Sequence, residues 1–361
     1  MTLYAAKVVG RLGADGSDAV SVVPVDVGSV RSGPDGDASR ILAARRFFES
    51  VDAALGAHRP SWIHERLSLF AGAGTELATR HGLARVVEVN APVADERIDH
   101  FALHLVEEAY RAERAALAGA RVAAVSGPMA SWALSRGASE STVIPNGADT
   151  TRLAPGRWTR SRGIVRRDLG FPPDLPVVGF VGSLKPWHGV ERMIDAVASA
   201  SHRGRLGLLV VGDGPQRERV LEAVATLPPL VHPVFVGAVP SASVPPYVAA
   251  MDIAVAPYLQ SGSFYFSPLK VAEAMAAGLP VIASDFPPVR EMLGDTGVLV
   301  DPGDDSALAQ AISGLAGDPS ERRRLGLAGR ARAVRRLDWR SVAQRTIALG
   351  LDAEHVTSGV G

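Results

Sequence analysis

The chain of 361 residues contains no cysteine. Disulfides, thiolate metal ligands and cysteine nucleophiles are therefore excluded, and the absence of cysteine is compatible with a reducing compartment. The chain also lacks an excess of either charge, because 38 Lys and Arg balance 38 Asp and Glu. A balanced charge gives no electrostatic footprint for nucleic acid or for a strongly anionic membrane, so an anionic ligand must be bound by a local site.

Two further kinds of feature are missing from the sequence. No apolar run is long enough to span a bilayer, and the N-terminus lacks the basic head and apolar core of a signal peptide. No cluster of His, Asp and Glu has the spacing of a metal site, so no metal is expected. We therefore expect a cytoplasmic protein without a resident metal or cofactor, for which membrane association is not indicated.

Strand and helix patterns alternate along the chain, which is typical of α/β domains with parallel sheets. The length and the 47% hydrophobic content suffice for two cores. We predict one Rossmann-like domain over residues 1–155, a second over 176–335, and a boundary within 154–176. A helix over 336–350 is predicted to pack back on the first domain. The predicted fold is two facing doubly wound domains with a cleft, where such sheets bind ligands beyond the strands' carboxyl ends.

The first domain begins irregularly. Residues 4–14 predict a helix and 19–27 a strand, whereas the alternation expects a strand ahead of that helix. Either this strand is missing or residues 2–9 form it. We expect impaired activity unless residues 2–9 do so, because neighbouring strands would otherwise lose backbone partners. Farther on, residues 96–118 predict one long amphipathic helix.

The most informative stretch of the chain runs over residues 263–284 and predicts a short helix. Ser267 can accept a hydrogen bond from an early helix N–H, and Pro268 fits the first helical position. Gly278 and Pro280 predict the end of the helix.

The start of this helix is a candidate phosphate site. Its first N–H groups and its dipole suit an anion, while Lys270 and Glu273 share one helix face. Taken alone, the stretch fits a buried helix with two surface charges better than a ligand site. The other loops of the second half, described next, favour the ligand site.

Two other loops lead from a predicted strand into a helix. The first, residues 182–189, contains the donors Lys185 and His188, and Gly182 permits close backbone approach. The second, residues 212–215, resembles a nucleotide loop but lacks the third glycine of the fingerprint. A plain turn between strand and helix explains this second loop at least as well.

Together and in this order, these segments resemble the C-terminal half of the GT4-type retaining glycosyltransferases of the GT-B fold. The resemblance is dense over residues 143–302 and loose over the first 120 residues. The segments that carry it are residues 143–149, 179–189, 210–215, 236–240, 252–258 and 273–284.

The resemblance implies transfer of a sugar from a nucleotide-diphosphate donor to a small-molecule or glycan acceptor, with retention of configuration and without a metal. In the family a basic pair holds the diphosphate, and its positions fall on Ser183 and His188. Neither is a permanent cation, so Lys185, Lys270 or both are expected to supply the charge.

The family's paired glutamates fall on Tyr265 and Glu273, of which only Glu273 is a carboxylate. Glu273 is expected to bind ribose hydroxyls. Where Tyr265 stands, backbone amides or Ser267 would have to contact the donor sugar. The donor-binding residues implied by the resemblance are Gly182, Ser183, His188, Gly212, Gly214, Val239, Pro240, Tyr265, Phe266, Ser267, Pro268, Leu269 and Glu273.

In the first domain, a family histidine that contacts the donor sugar falls on Asn90. The predicted catalytic residues are accordingly Asn90, Lys185 and Lys270, although a turn residue explains Asn90 equally well. Glu65, Arg66 and Glu96 follow strands and are expected to be surface or inter-domain charges more than acceptor ligands.

Two alternative functions remain open. A nucleotide-sugar epimerase would need titratable acid and base residues, and the few carboxylates expected around Asn90 argue against it. The family usually begins with a strand and a Gly-Gly loop that approaches the phosphates, and neither is visible before Tyr4. A non-catalytic sugar-nucleotide-binding protein is favoured by this missing loop, the missing glutamate and the missing basic pair. The nucleotide base, the donor sugar, the acceptor and the oligomeric state stay open.

Overall fold

The computed structural model describes residues 2–5, 21–25, 35–55, 60–70, 72–100, 102–260 and 264–358. The chain divides into two compact units. The first comprises Met1–Ile144 with Gln344–Gly361, and the second comprises Pro145–Ala343. The segment 154–176, where the sequence predicted a boundary, lies inside the second unit.

The first unit contains parallel strands flanked by helices. Strand β1 (Thr2–Ala5) pairs with β2 (Ser21–Pro24). A four-stranded parallel sheet, ordered as in the sequence, contains β3 (Trp62–Arg66), β4 (Ala84–Val89), β5 (Arg121–Ala124) and β6 (Glu140–Val143). The helices of this unit are α1 (Gly36–Leu55), α2 (Ala73–His81), α3 (Val93–His100), α4 (Val106–Leu117) and α5 (Gly127–Ser135).

Two predictions for this unit are corrected. Tyr4 and Ala5 belong to β1 and not to a helix, because their backbone pairs in parallel with β2; residues 6–14 of the predicted helix lie outside the described residues. The single helix predicted over 96–118 is two helices, α3 and α4. The backbone N–H groups of His104 and Leu105 donate to the Asp37 carboxylate at 2.6 and 3.1 Å, where a continuous helix would pair them with carbonyls.

The second unit is a doubly wound domain around one six-stranded parallel sheet. Its strands are β7 (Val177–Val181), β8 (Leu206–Val211), β9 (Val231–Gly237), β10 (Ile253–Ala256), β11 (Val281–Ser284) and β12 (Val298–Val300), in the order β12-β11-β10-β7-β8-β9. The helices are α6 (Pro155–Asp168), α7 (Val190–Ala200), α8 (Arg217–Ala225), α9 (Val244–Ala250), α10 (Leu269–Ala276), α11 (Pro287–Leu293), α12 (Asp305–Gly317) and α13 (Pro319–Arg336). The order reverses between β7 and β10, which is the point where such sheets bind ligands.

The sheet of the second unit is buried by helices. All six residues of β8 and all four of β11 are buried, which explains their uninterrupted apolar sequences. One core cluster joins Phe180 and Leu208 to Ile194 of α7. A second core cluster joins Val271 and Met275 of α10 to Ala283 of β11, which holds α10 against the central part of the sheet.

A last helix, α14 (Trp339–Ser358), follows α13. Its residues from 344 onward belong to the first unit, where Gly350 lies against the Trp62 indole so closely that a Cβ would come within 2.4 Å of the ring. Among the helices described, none is long and apolar enough to cross a membrane.

Candidate functional site

The loops after β7 and β8 are packed backbone against backbone. The N–H of Leu184 donates to the Asp213 carbonyl at 2.9 Å. A Cβ on Gly212 would lie 1.8 Å from the Gly182 carbonyl oxygen, and one on Gly214 would lie 2.7 Å from the Leu184 nitrogen. The structure thus gives Gly212 and Gly214, which the sequence placed at a ligand, a role in this close loop packing.

Lys270 in the first turn of α10 points to the loop after β7. Its Nζ lies 4.2 Å from the Phe180 ring centroid, 5.1 Å from that of Tyr258, and 3.2 Å from where a Cβ on Gly182 would stand. The Nζ atom is out of contact with solvent and has no hydrogen-bond partner among the residues the structure describes. Lys270 is thus not the exposed lysine that a purely structural interpretation of the sequence expected.

Burial changes the charge of this amine. It lowers the pKa of Lys270 to about 7, against the opposing effect of the nearby Glu273 carboxylate. Near neutral pH the amine is therefore close to half protonated. When protonated, this amine lies near two aromatic rings but has no hydrogen-bonded anion to compensate its charge. It could therefore bind a negatively charged ligand.

His188 is a neutral neighbour of this lysine. Its Nδ1–H donates to the Ser183 carbonyl, and its ring lies 5.7 Å from Tyr258 between ring centroids. Burial, with the positive charges of Lys270 and Lys185, lowers the pKa of His188 to about 4. His188 therefore supplies no positive charge at neutral pH, and its Nε2 is left as an acceptor.

Lys185 remains in the same loop as a partly exposed cation. Its Nζ lies 5.7 Å from the Trp187 ring centroid. The exposed Ser183 hydroxyl adds a neutral donor. Lysines therefore lie on two elements near the end of β7, as the sequence predicted, but only Lys270 is enclosed.

The start of α10 differs from the prediction. Pro268 is the N-cap residue and Leu269 the first helical one, and no side chain caps the helix. The Ser267 hydroxyl instead accepts a bond from the Asn146 backbone N–H at 2.9 Å, while the Asn146 amide donates to the Ser267 carbonyl at 3.2 Å. The predicted capping bond is wrong because Ser267 binds the segment after β6. The first N–H groups of α10 stay without a side-chain cap, which suits an anion.

Glu273 lies one turn farther along α10. Burial raises the pKa of its carboxyl group, against the opposing positive charges of Arg152 and Lys270. The Arg152 guanidinium also donates to the carbonyl of Ser241, directly after Pro240. Lys270 and Glu273 together line a cavity of about 20 Å³.

Arg152 is a candidate functional residue that the sequence analysis missed. Its guanidinium bonds the Ser241 carbonyl, next to the donor-binding candidates Val239 and Pro240, and its positive charge acts on Glu273. Its only signal in the sequence was an arginine shortly after the Asn146-Gly147 turn, outside the matching segments.

Aromatic rings occupy the position where the resemblance implied a carboxylate. The Tyr265 and Phe266 rings lie 4.4 Å apart between centroids, and Phe264 stacks on Phe286 at 4.2 Å. Tyr258 meets Phe264 edge to face at 5.1 Å. The wall next to the start of α10 is therefore apolar and aromatic, with the Tyr265 hydroxyl as a polar group.

Asn90 in the first unit is part of a polar cluster at the end of β4. Its amide donates to one oxygen of Glu88, and the other oxygen lies 3.4 Å from His64 Nε2. The bond to His64 lowers the pKa of Glu88 most, against burial, and the bond to Asn90 adds to it. One carboxylate, Glu88, and one imidazole, His64, therefore lie at this end of β4 with Asn90.

Glu65 has a structural role in the same unit. It accepts a bond from the Gly74 N–H at 3.0 Å, lies 3.6 Å from the Arg85 guanidinium, and has a pKa raised by burial. Within the described part of the chain, no group of three or more His, Asp or Glu side chains is arranged to hold a metal ion.

Comparison with known proteins identifies the second unit. Residues 175–318 match the model of the family Glycosyl transferases group 1. Over these residues the second unit is similar to the group 1 glycosyltransferases. The glycosyltransferase resemblance read from the sequence is confirmed at the level of the family.

Individual relatives agree with this assignment. A GDP-mannose-dependent alpha-(1-6)-phosphatidylinositol monomannoside mannosyltransferase of Mycolicibacterium smegmatis is 32% identical over 208 residues, which cover 56% of this chain and 54% of that protein. Sucrose-phosphate synthase from Thermosynechococcus elongatus has a TM-score of 0.68 and 25% identity, covering 91% of this chain and 82% of that one. Anabaena HepE in complex with UDP has a TM-score of 0.64 and 22% identity, covering 92% and 86%.

The structural likeness confirms the predicted GT-B fold, in which each unit is Rossmann-like. The sequence similarity covers a smaller part of each relative. The chain spans about half the length of the curated relatives that it matches.

Proposed function

We propose that this protein transfers a sugar from a nucleotide-diphosphate donor to a small-molecule or glycan acceptor, with retention of configuration and without a metal. The observation that carries the proposal is the Lys270 amine, enclosed at the start of α10 with no hydrogen-bonded anion among the described residues. A diphosphate is the ligand that would complete this site.

Three groups would share the diphosphate. The uncapped N–H groups at the start of α10 offer hydrogen bonds and the positive end of the helix dipole. Lys270 adds the buried cation, and Lys185 adds a second from the loop after β7. With two lysines and the helix start supplying positive charge, a divalent ion would not be needed to hold the diphosphate.

The same groups would act on the departing diphosphate. Glycosyl transfer passes through an oxocarbenium-like state, in which negative charge grows on the leaving oxygen. Donors that are already fixed by the fold stabilise that charge more than the ground state. The buried position of Lys270 strengthens its interaction with an anion, because the local dielectric constant is low.

Other residues of the second unit would contact the ribose, the base and the sugar of the donor. Glu273 would accept hydrogen bonds from the ribose hydroxyls, and Val239 and Pro240 would lie beside the base. The backbone at Tyr265 and Phe266, with the Tyr265 hydroxyl, would contact the sugar in place of a carboxylate. Relatives named for GDP-mannose and a structural neighbour solved with UDP-glucose support a nucleotide sugar as the donor class.

In the first unit, we propose that Asn90 binds a sugar hydroxyl. Its amide nitrogen is held by Glu88, which leaves the amide oxygen as the acceptor. A cytoplasmic location and retention of configuration are part of this proposal.

The proposal is tested by incubating the protein with UDP-glucose and with GDP-mannose and measuring the nucleoside diphosphate released. We expect release from at least one donor, unaffected by EDTA, and strongly reduced in Lys270→Met. The control is Arg219→Met, which removes one positive charge from an exposed position on α8. Binding of the donor without any release would favour the non-catalytic alternative, and an epimerised sugar would favour the epimerase.

A further inference from the structure

A second pocket lies at the other end of the six-stranded sheet. It has a volume of about 300 Å³. Its lining includes Asp252, directly before β10, and Pro280, directly before β11. These strands are parallel and run from this pocket toward the α10 start, and none of the donor-binding residues named above lines it. The pocket is therefore a separate feature of the second unit.

The charge of this pocket is positive. Arg162, Arg322 and Arg323 line it, against the single carboxylate of Asp252. That carboxylate is already bonded to Arg162 at 2.6 Å and to Arg166 at 2.9 Å. The other two arginines of the lining, Arg322 and Arg323, therefore have no carboxylate partner among the residues that line the pocket.

Two of these arginines are held rigidly. The Arg162 guanidinium donates to the carbonyls of Ala249 and Met251 at 2.5 and 2.7 Å. The Arg322 guanidinium donates to two carbonyls at the end of α12, at 2.6 and 2.8 Å. A guanidinium that is already fixed loses little conformational freedom when it binds an anion.

Arg323 is the third cation and is exposed, with no side-chain hydrogen bond among the residues described. The lining also contains apolar groups, namely the Trp158 indole, Leu153 and Pro245. The Trp158 N–H is already donated to the Arg152 carbonyl at 2.5 Å, so the indole offers its ring surface and not its donor.

We propose that this pocket binds a sugar phosphate. A phosphate monoester carries close to two negative charges at neutral pH, which matches the two uncompensated arginines. The Trp158 indole and the other apolar lining residues offer a surface for the ring of the sugar. The volume lies at the lower end of the range for small-molecule sites, as expected for a ligand of this size.

The test uses glucose 6-phosphate as the probe, with thermal stability and calorimetry as readouts. We expect glucose 6-phosphate to stabilise the wild type, and inorganic phosphate to bind much more weakly. Arg323→Glu should weaken glucose 6-phosphate binding by at least about tenfold, because it replaces a charge-assisted contact with repulsion. Thr159→Phe, at an exposed lining position on α6, should also weaken binding by filling the pocket.

Controls separate this site from the donor site. Arg335→Gln changes an exposed arginine of α13 outside the pocket and should bind glucose 6-phosphate as the wild type does. Stabilisation by nucleoside diphosphates should be unchanged in all three variants. The proposal is overturned if glucose 6-phosphate does not bind, if inorganic phosphate binds equally well, if Arg335→Gln weakens binding as Arg323→Glu does, or if UDP displaces glucose 6-phosphate.

Discussion

Lys270 is the residue on which the proposed chemistry depends. Only three of the 38 basic residues are lysines, at positions 7, 185 and 270, and two of these belong to the proposed donor site. Arginine keeps its charge when buried, whereas the charge of a lysine responds to burial and to a nearby anion. The sequence singled out Lys270 by its place on the helix. It could not predict the enclosure by Phe180 and Tyr258, which comes from other strands and loops.

The titration of Lys270 predicts how donor binding depends on pH. Its pKa in the free folded protein is about 7, and a bound diphosphate would raise it. Above pH 7 binding must therefore take up a proton, so the affinity for UDP or GDP should fall by up to about tenfold per pH unit. Calorimetry across this range measures the slope. In Lys270→Met the slope should disappear; if it persists, another group takes up the proton.

The same pKa has a consequence for the free protein. Because the folded value of about 7 lies below the ordinary value of 10.5, the folded state binds fewer protons than the unfolded state between these two values. The contribution of Lys270 to stability therefore rises with pH through this window. Urea unfolding at several pH values should show a steeper rise for the wild type than for Lys270→Met, and equal slopes would contradict the assignment.

Glu273 is expected to act on a different part of the donor. Glu273→Gln should weaken binding of the nucleoside as well as of the diphosphate, because the carboxylate would accept from ribose hydroxyls through bonds of about 1.5–3 kcal/mol each. Calorimetry with uridine or guanosine and with UDP or GDP compares the two. Unchanged affinity for each nucleoside and nucleotide that binds the wild type would remove this role.

At the scale of elements, the glycines of the two donor loops show why a motif alone was ambiguous. The sequence offered a nucleotide loop or a plain turn for residues 212–215. The structure shows a packing reason for both glycines, since a Cβ on either would meet the backbone of the loop after β7. A contact between two loops distant in sequence leaves no local pattern, which is why it was not predictable.

This packing predicts opposite effects for two glycine substitutions. Gly212→Ala should destabilise the protein by more than about 2 kcal/mol, because the new Cβ overlaps the Gly182 carbonyl and the φ of +142° disfavours a side chain. The control is Gly163→Ala within α6, where a Cβ meets nothing within 4 Å. It should be neutral or stabilising by up to about 1 kcal/mol in urea unfolding. A stable Gly212→Ala variant would contradict the interlocked loops.

Ser267 gives a second prediction at this scale. Ser267→Ala removes the acceptor of the Asn146 N–H and should cost about 1–3 kcal/mol in urea unfolding, because that N–H loses its partner. Ser243→Ala, at an exposed position, serves as the control and should stay within about 0.5 kcal/mol. Equal effects of the two substitutions would show that the bond to Asn146 contributes nothing.

At the scale of the whole molecule, the two units were predictable to different degrees. The strands and helices of the second unit follow from the sequence, because buried parallel strands such as β8 have uninterrupted apolar runs between glycine-containing turns. The first unit depends more on long-range contacts. The backbone N–H groups between α3 and α4 donate to the Asp37 carboxylate, which lies almost 70 residues earlier in the chain. The hydrophobic pattern of residues 96–118 gives no sign of this break in the helix.

The central claim is that Lys270 binds the diphosphate of a sugar donor. It is tested most directly by calorimetric titration of wild type and Lys270→Met with UDP or GDP and with the corresponding nucleoside, at a pH near 6.5 where the amine is largely protonated. The folded stability of the variant should be unchanged or higher, since a buried charge is removed. The account predicts that diphosphate affinity falls by about tenfold or more while nucleoside affinity changes little. Equal and small effects on both ligands would contradict it.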